Sequence, residues 1–492
     1  MTSKLKNITF ALSILLSISS CKKGWLDVNS GTQINSDTQF SSESGFKDAL
    51  MGVYIGMTDP ALYSKDITWG LVDILSHQYR PLTGNEQYVD IYNYNYKTIK
   101  ATTRIDAVWN KSYNTIANIN NALLNIDKNK ANLDPINYAI IKGELLGLRA
   151  FLHFDLMRLY GYGNIANRPE LAGKLAIPYV TDFKKEITPQ LSYSQTFDLL
   201  SKDINEALAL LKEDPIYNNP KKPTSYYLNV NRDGFYNKRE QRLNYYAVKA
   251  LQARILLWQG GNTNVANAAL AAEEVIKDSP AKLTNSASVA TNPSLYTEHL
   301  FNLNVTGFLN IINTYLKAND ASITNTLYLT NAQAQSTYET ANVNIGLSDF
   351  RYNTLLSAQT LGMVPIKYYQ SLEAKDVGRN IMPLMKLPEM YYIAAEHYIT
   401  TNPGKAIEYL DKIRENRGIV QPIPTNSNIE QIKTELDKEY QKELIMDGQL
   451  FFYYKRLGKT TYPGLASTIV ANDKVYLLPY PATEIEFGNR VQ

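Results

Sequence analysis

Apolar residues recur every three or four positions in several long segments, the pattern of helices that bury one face. In 141–160 the repeating positions are Ile141, Leu145, Leu148, Leu152, Leu156 and Leu159. Glu144, Arg149, Asp155 and Arg158 take other faces, and Gly161-Tyr162-Gly163 ends the helix. Segment 193–213 repeats the pattern through Phe197, Leu200, Ile204, Leu208 and Leu211. An Ala- and Leu-rich stretch, 243–258, stops at Gly260-Gly261-Asn262 and predicts a helix with 265–276 as its partner. Segments 390–400 and 405–417 form another pair around Asn402-Pro403-Gly404. Segment 430–454 predicts one more long helix, and 46–54 has helical spacing.

Small residues lie where paired helices would cross: Ala253 with Ala268, and Ala394 and Ala395 with Ala406. This texture predicts a mostly α-helical chain of tetratricopeptide-like pairs without a strict 34-residue period; an irregular bundle is the alternative. Two long polar stretches, 214–242 and 278–386, are rich in Asn, Thr, Ser, Pro and Tyr. Loops this long inside a folded chain are functional or carry small added elements. Strand-like runs are few. Tyr92-Asn93-Tyr94-Asn95-Tyr96 alternates with period two, which predicts an extended segment with three Tyr on one face.

The first twenty residues follow another pattern. Lys4 and Lys6 precede an apolar run from Ile8 to Ile18, then Ser19, Ser20 and Cys21. This is the layout of a secretory signal. The run is too short for a bilayer, which needs about 20 residues. A Cys after small residues resembles a bacterial lipobox, in which the thiol takes a diacylglycerol thioether. The expectation is therefore a signal peptide over 1–20, a lipidated tether over 21–44 and a body over 45–492. Two or more acyl chains anchor a protein stably. A plain secretory signal with an incidental Cys, or a buried first helix, is the alternative. Lys22 and Lys23 follow the Cys and Asp27 is the first acid, which leaves the leaflet of the anchor open.

Composition narrows the function. The 492 residues carry 50 Lys and Arg against 47 Asp and Glu, which argues against a nucleic-acid partner. Cys21 is the single cysteine, so an intramolecular disulfide and a Cys-based metal site are excluded. His77, His153, His299 and His397 lie far apart, and no cofactor is expected. Metalloprotease, nucleophile-elbow and phosphate-loop motifs are absent. A glycosidase needs two facing carboxylates, which sequence alone leaves open. Glu273-Glu274 reads as a solvated helix face, and Asp203 and Glu206 as surface ion pairs.

Several separated motifs carry a family resemblance. They begin with Cys21 leading to Trp25-Leu26-Asp27, and with Trp109, Tyr113, Ile116, Asn118 and Asn121 on one helix. Next come Gly143-Glu144, Arg149-Ala150 and Phe154-Asp155-Leu156 with Arg158-Leu159-Tyr160-Gly161. Leu243, Ala247, Ala250-Leu251 and Ala253-Arg254 follow. The C-terminal part adds Glu389-Met390-Tyr391 with Ala395-Glu396, Ile413-Arg414 with Arg417-Gly418, and Glu443-Leu444 with Asp447-Gly448-Gln449. Lys455-Arg456 with Gly458, and Leu478-Pro479 with Pro481 and Glu484-Ile485, complete the set. These residues resemble the SusD/RagB outer-membrane nutrient-uptake lipoproteins of Bacteroidetes. Leu450-Phe451-Phe452-Tyr453-Tyr454 departs from the Arg-Trp-x-Asp-Leu usual there.

The resemblance implies about four tetratricopeptide-like helix pairs, long loops forming a ligand face and a few short β-hairpins. Its two segments would cover about 25–230 and 320–492. It also implies a non-catalytic surface lipoprotein, facing the cell exterior, that captures a glycan and passes it to a SusC-like TonB-dependent transporter. A peptide receptor of the same architecture and a non-binding cap on the transporter are the alternatives.

A sugar site needs flat rings for the C–H face of a pyranose and amides or Arg for its hydroxyls. Tyr supplies a rigid ring with a polar tip, and the chain has 36 Tyr against 14 Phe and 4 Trp. Candidate ligand residues are Trp69, Tyr79, Arg80, Tyr88, Tyr92, Tyr94, Tyr226 and Tyr227, with Tyr236 a further possibility. For each Tyr, core or barrel contact is the competing assignment. Trp109, Trp258 and His153 read as packing residues.

Overall fold

A computed structural model describes residues 36–217, 222–316, 327–369 and 378–491. The signal, Cys21 and the first part of the tether lie outside the described residues. The remainder of the expected tether is folded: Ser36–Gln39 is helical, Phe40 is buried, and Ser42 caps the next helix through Gly45 N.

Eleven helices are labelled here in chain order. They are α1 (Glu43–Met57), α2 (Ile99–Ile126), α3 (Pro135–Tyr160), α4 (Tyr193–Leu210), α5 (Tyr245–Gln259) and α6 (Asn262–Asp278). They continue as α7 (Asn331–Tyr338), α8 (Leu387–Thr401), α9 (Pro403–Asn416), α10 (Ile429–Glu443) and α11 (Leu450–Leu457). Helix starts follow from local chemistry. Asp134 caps α3 with Pro135 at its first turn, and Ser192 with Gln195 makes a capping box on α4.

The helices form four successive pairs, α1–α2, α3–α4, α5–α6 and α8–α9, each packed on the next. Ala253, Ala268, Ala394, Ala395 and Ala406 are all fully buried, as close helix crossings require. One cluster of buried apolar residues runs from Phe40 to Tyr480 and includes Trp109 and Trp258. His153 packs as expected: its imidazole stacks on Tyr179 at 3.9 Å, and Nε2 accepts from Val180 N.

The long polar stretches carry small elements. Three two-stranded antiparallel sheets pair β1 (Leu175–Pro178) with β2 (Gln190–Ser192), β3 (His299–Asn304) with β6 (Ile381–Lys386), and β4 (Leu356–Gln359) with β5 (Gly362–Pro365). In the second sheet His299 lies opposite Lys386 and Asn304 opposite Ile381, so the insertion returns to the start of α8.

Four expectations need correction. Segment 430–454 is two helices, because Met446 and Gly448 take left-handed backbone between them. That turn brings Asp447 to Lys367 and Lys386, and a Cβ on Gly448 would collide with Thr68 backbone. Tyr92–Tyr96 is not extended: Val89–Tyr92 is a helical turn and Tyr94 has a φ of 56°. Asp203 is buried and holds Arg149 through two bonds of 2.6 and 2.7 Å, with Tyr179 O–H donating to it at 2.6 Å. Glu273 ties α6 to the next pair by accepting from Tyr398, Lys405 and Tyr409.

Candidate functional site

The segment between α1 and α2 carries six of the expected ligand residues, and most of them are packing residues. Trp69 is 0% exposed, its Nε1 donates to Ser64 O at 2.9 Å, and its ring meets Tyr315 edge-on. It cannot stack on a ligand. Tyr79 is equally buried and donates to Trp69 O at 2.8 Å. Tyr88 is buried between Lys65, whose Nζ donates to its hydroxyl, and Asp66, which accepts from it. Arg104 lies 4.1 Å from the centre of the Tyr88 ring. Arg80 is paired with Glu86 and lies 5.0 Å from the Tyr328 ring centre. Together these residues fasten the segment to α2 and to the insertion after β3.

Tyr92 and Tyr94 act on His77. The His77 ring is stacked on Tyr92 at 4.0 Å and on Tyr94 at 5.3 Å, with planes 12° and 4° apart. Its Nδ1 and Nε2 face the carbonyl oxygens of Gly464 and Tyr92 at 2.8 and 3.0 Å. Burial pushes this imidazole below its ordinary range, against the pull of those two carbonyls. The stack orients Ser76, His77 and Gln78 along one wall of a cleft.

That cleft has a volume of about 290 Å³, at the small end of the about 300–1,000 Å³ of ligand pockets. Its opposite wall is α7, through Gln333, Ser336 and Thr337, and its floor includes Gln441, Ile445 and Leu450. No lining residue among those described is Asp, Glu, Lys or Arg. Gln333 is committed to the helix cap at Thr330 and to Tyr79 O. Gln78 is different. It is 9% exposed, and neither its Oε1 nor its Nε2 has a hydrogen-bond partner within the protein. A buried amide left so loses about 1–3 kcal/mol for each unsatisfied group unless a water or a ligand meets it. A neighbouring hydroxyl pair, one donating and one accepting, matches a carboxamide edge. No facing pair of carboxylates, as a glycosidase needs, lines the cleft among the described residues. Sequence reasoning missed Gln78 because a lone Gln between His77 and Tyr79 belongs to no motif.

Tyr226 and Tyr227 lie elsewhere. Tyr226 donates to Asp134 at 3.3 Å, at the start of α3. Tyr227 and Tyr236 line a separate cavity. Among the described residues no group of three His, Cys, Asp or Glu side chains converges to hold a metal ion.

Comparison with known proteins identifies the architecture. Residues 24–228 match a family model described as SusD-like, starch-binding and associating with the outer membrane, and residues 286–484 match the model of the SusD family. This chain belongs to the SusD/RagB family. Among solved structures, a SusD superfamily protein from Bacteroides thetaiotaomicron VPI-5482 aligns with a TM-score of 0.71 at 20% identity, covering 92% of this chain and 99% of that one. A SusD-like carbohydrate binding protein from Bacteroides vulgatus ATCC 8482 gives 0.69 at 17% identity, over 91% and 96% of the two chains. A SusD superfamily protein from Bacteroides fragilis gives 0.67 at 15% identity, over 91% and 98%. No curated protein matches the chain.

The SusD/RagB motif residues hold the helical frame together through buried ion pairs. Glu144 is wholly buried and takes Arg239, Arg242 and Tyr54, whose charges and hydrogen bonds keep its carboxyl below the ordinary range although burial raises it. Arg254 on α5 grips Glu389 on α8 through two bonds of 2.6 Å. Arg456 grips Glu396 through two of 2.7 Å, and Arg417 joins Glu298 and Glu443. Removing one partner of such buried pairs costs about 3–5 kcal/mol, so these motifs record the fold and not the ligand.

Proposed function

We propose that this SusD/RagB protein is a non-catalytic, lipid-anchored receptor subunit of the outer membrane that binds an uncharged oligosaccharide in the Gln78 cleft. It delivers that glycan to a SusC-like TonB-dependent transporter. The observation that carries the reading is the buried, unpartnered carboxamide of Gln78 in a cleft without charged residues. A neutral sugar satisfies such a group through hydroxyls and brings no charge to be desolvated. The family description, starch-binding and associating with the outer membrane, supports the ligand class and the location. Cys21 supplies the anchor, and its place after Ser19-Ser20 supports an exported, acylated chain. Among the described residues no helix is long and apolar enough to cross a membrane.

A peptide is the second reading, because the edge of a carboxamide also matches a peptide bond. Calorimetry on the full chain in detergent, with neutral oligosaccharides and with unstructured peptides, separates the two. Heat with sugars that disappears in Gln78→Ala supports the proposal. Heat with peptides alone favours the peptide receptor, and silence with both favours a transporter cap. Release of shortened products from any polymer overturns the non-catalytic assignment.

A further inference from the structure

A second cavity, of about 700 Å³, opens between residues 215–216 and 224–246 on one side and 279–300 on the other. It shares no lining residue with the Gln78 cleft, and its chemistry is different. Four phenol rings, Tyr227, Tyr236, Tyr246 and Tyr296, contribute to its wall. Two of them are fixed by hydrogen bonds: Tyr236 donates to Asn137, and Tyr296 donates to Glu240 at 3.1 Å while accepting from Gln241 at 3.0 Å. Rigid rings with polar tips suit a pyranose, whose C–H face is apolar and whose edge is hydroxylated.

Charge separates this cavity from the first. Arg239 lines it but is buried and neutralised by Asp214 and Glu144. Lys238 and Lys282 also line it, are exposed, and form no ion pair among the described residues. Glu240 is the one acid among the described lining residues, and it accepts from the Tyr296 hydroxyl. His299 adds no charge, because burial pushes its imidazole down to about 3. Ser279 supplies an independent sign of a ligand: it is 4% exposed, lines the cavity, and its Oγ has no hydrogen-bond partner within the protein. Two lysines without an ion pair and four phenols lining one cavity, with an unpaired buried hydroxyl, suit a ring that carries an anion.

We propose that this cavity is a second ligand site, and that it takes an acidic sugar, a pyranose bearing a carboxylate. The rings hold the sugar face, and Lys238 and Lys282 hold the carboxylate as point charges. The site stands independently of the Gln78 cleft, so either assignment can fail alone.

The test is calorimetric titration of the full chain in detergent with trigalacturonate, with galactotriose as the neutral counterpart and a triglutamate peptide as a non-sugar anion. Trigalacturonate is expected to bind more tightly than either. The double variant Lys238→Ala/Lys282→Ala is expected to weaken it about tenfold, the upper range for two exposed charge contacts. Tyr296→Ala is expected to weaken it as well, whereas Gln78→Ala leaves it unchanged. Both lysines are exposed, so an unchanged thermal midpoint in the double variant isolates the charge effect. Absence of trigalacturonate binding, equal binding of galactotriose or triglutamate in a Gln78→Ala background, or indifference to the lysine pair overturns the proposal. Retained galactotriose binding in the lysine variant leaves the function assigned to the first cleft intact.

Discussion

Lys455 Nζ donates to the carbonyl oxygen of Arg158 at 2.6 Å, joining the last turn of α11 to the end of α3. The same ammonium reaches Leu159 O at 3.3 Å and Tyr476 O at 2.6 Å, so one side chain serves three carbonyls and forms no ion pair among the described residues. Gly163 makes room for it, because a Cβ there would collide with both the side chain and the carbonyl of Lys455. Lys455→Met is therefore expected to lower stability by on the order of 3 kcal/mol, about one for each stranded carbonyl. Gly163→Ala is expected to destabilise as well. Urea midpoints check both, and wild-type midpoints would refute the assignment.

Acid sensitivity follows from the carboxylates behind the cleft. Burial alone would raise the Glu439 carboxyl, but Arg351, Lys442 and Arg414 bring it from 4.5 down to about 2. A carboxyl lowered in the folded state contributes stability that is present above its unfolded value. That contribution is lost as pH falls from about 4.5 toward about 2. Glu439→Gln is expected to be weaker at neutral pH by about 1.5–3 kcal/mol, because Arg351, Lys442 and Arg414 each lose one of their carboxylates while keeping another, and to show a shallower acid limb. Parallel acid limbs in the two proteins would contradict this.

Gln78 and Trp69 should respond in opposite ways. Gln78→Met removes an unsatisfied buried amide at nearly constant volume, so stability is expected to hold or rise while glycan affinity falls about tenfold. Trp69→Ala empties a fully buried site and is expected to lose about 3–5 kcal/mol. Thermal midpoints together with calorimetry distinguish the two. A Gln78→Met protein that binds glycan normally would remove the cleft from the function.

Cys21→Ala is expected to abolish acylation and move the protein from the detergent phase to the aqueous phase. Mass analysis of the mature N-terminus checks the cleavage. Persistent detergent-phase partitioning would point to another anchor.

The helices were legible because their buried stripes repeat over many turns: 141–160, 193–213 and the pair 390–417 all reappear as elements. The break after Glu443 was not, since Leu444, Ile445 and Leu450 continue an apolar rhythm while Asp447 turns inward to two lysines. The ligand residues were the least legible part. Trp69, Tyr79 and Tyr88 have the chemistry of a sugar platform, yet each hydroxyl or indole nitrogen found an internal partner. A Tyr reads the same in a core and in a site, and only the surrounding chain decides. Gln78 is recognisable only by what it does not bond, which no sequence pattern records.

The bond between Lys455 and Arg158 spans 297 positions, and Tyr96 O–H reaches Val475 O across 379. Elements made late in the chain thus close elements made early. While the chain emerges, the end of α3 waits uncovered for partners not yet made, and contacts of such separation form slowly. The fold is therefore closed across its whole described length, and its early helices are fully covered only once residues near 455 and 475 are in place.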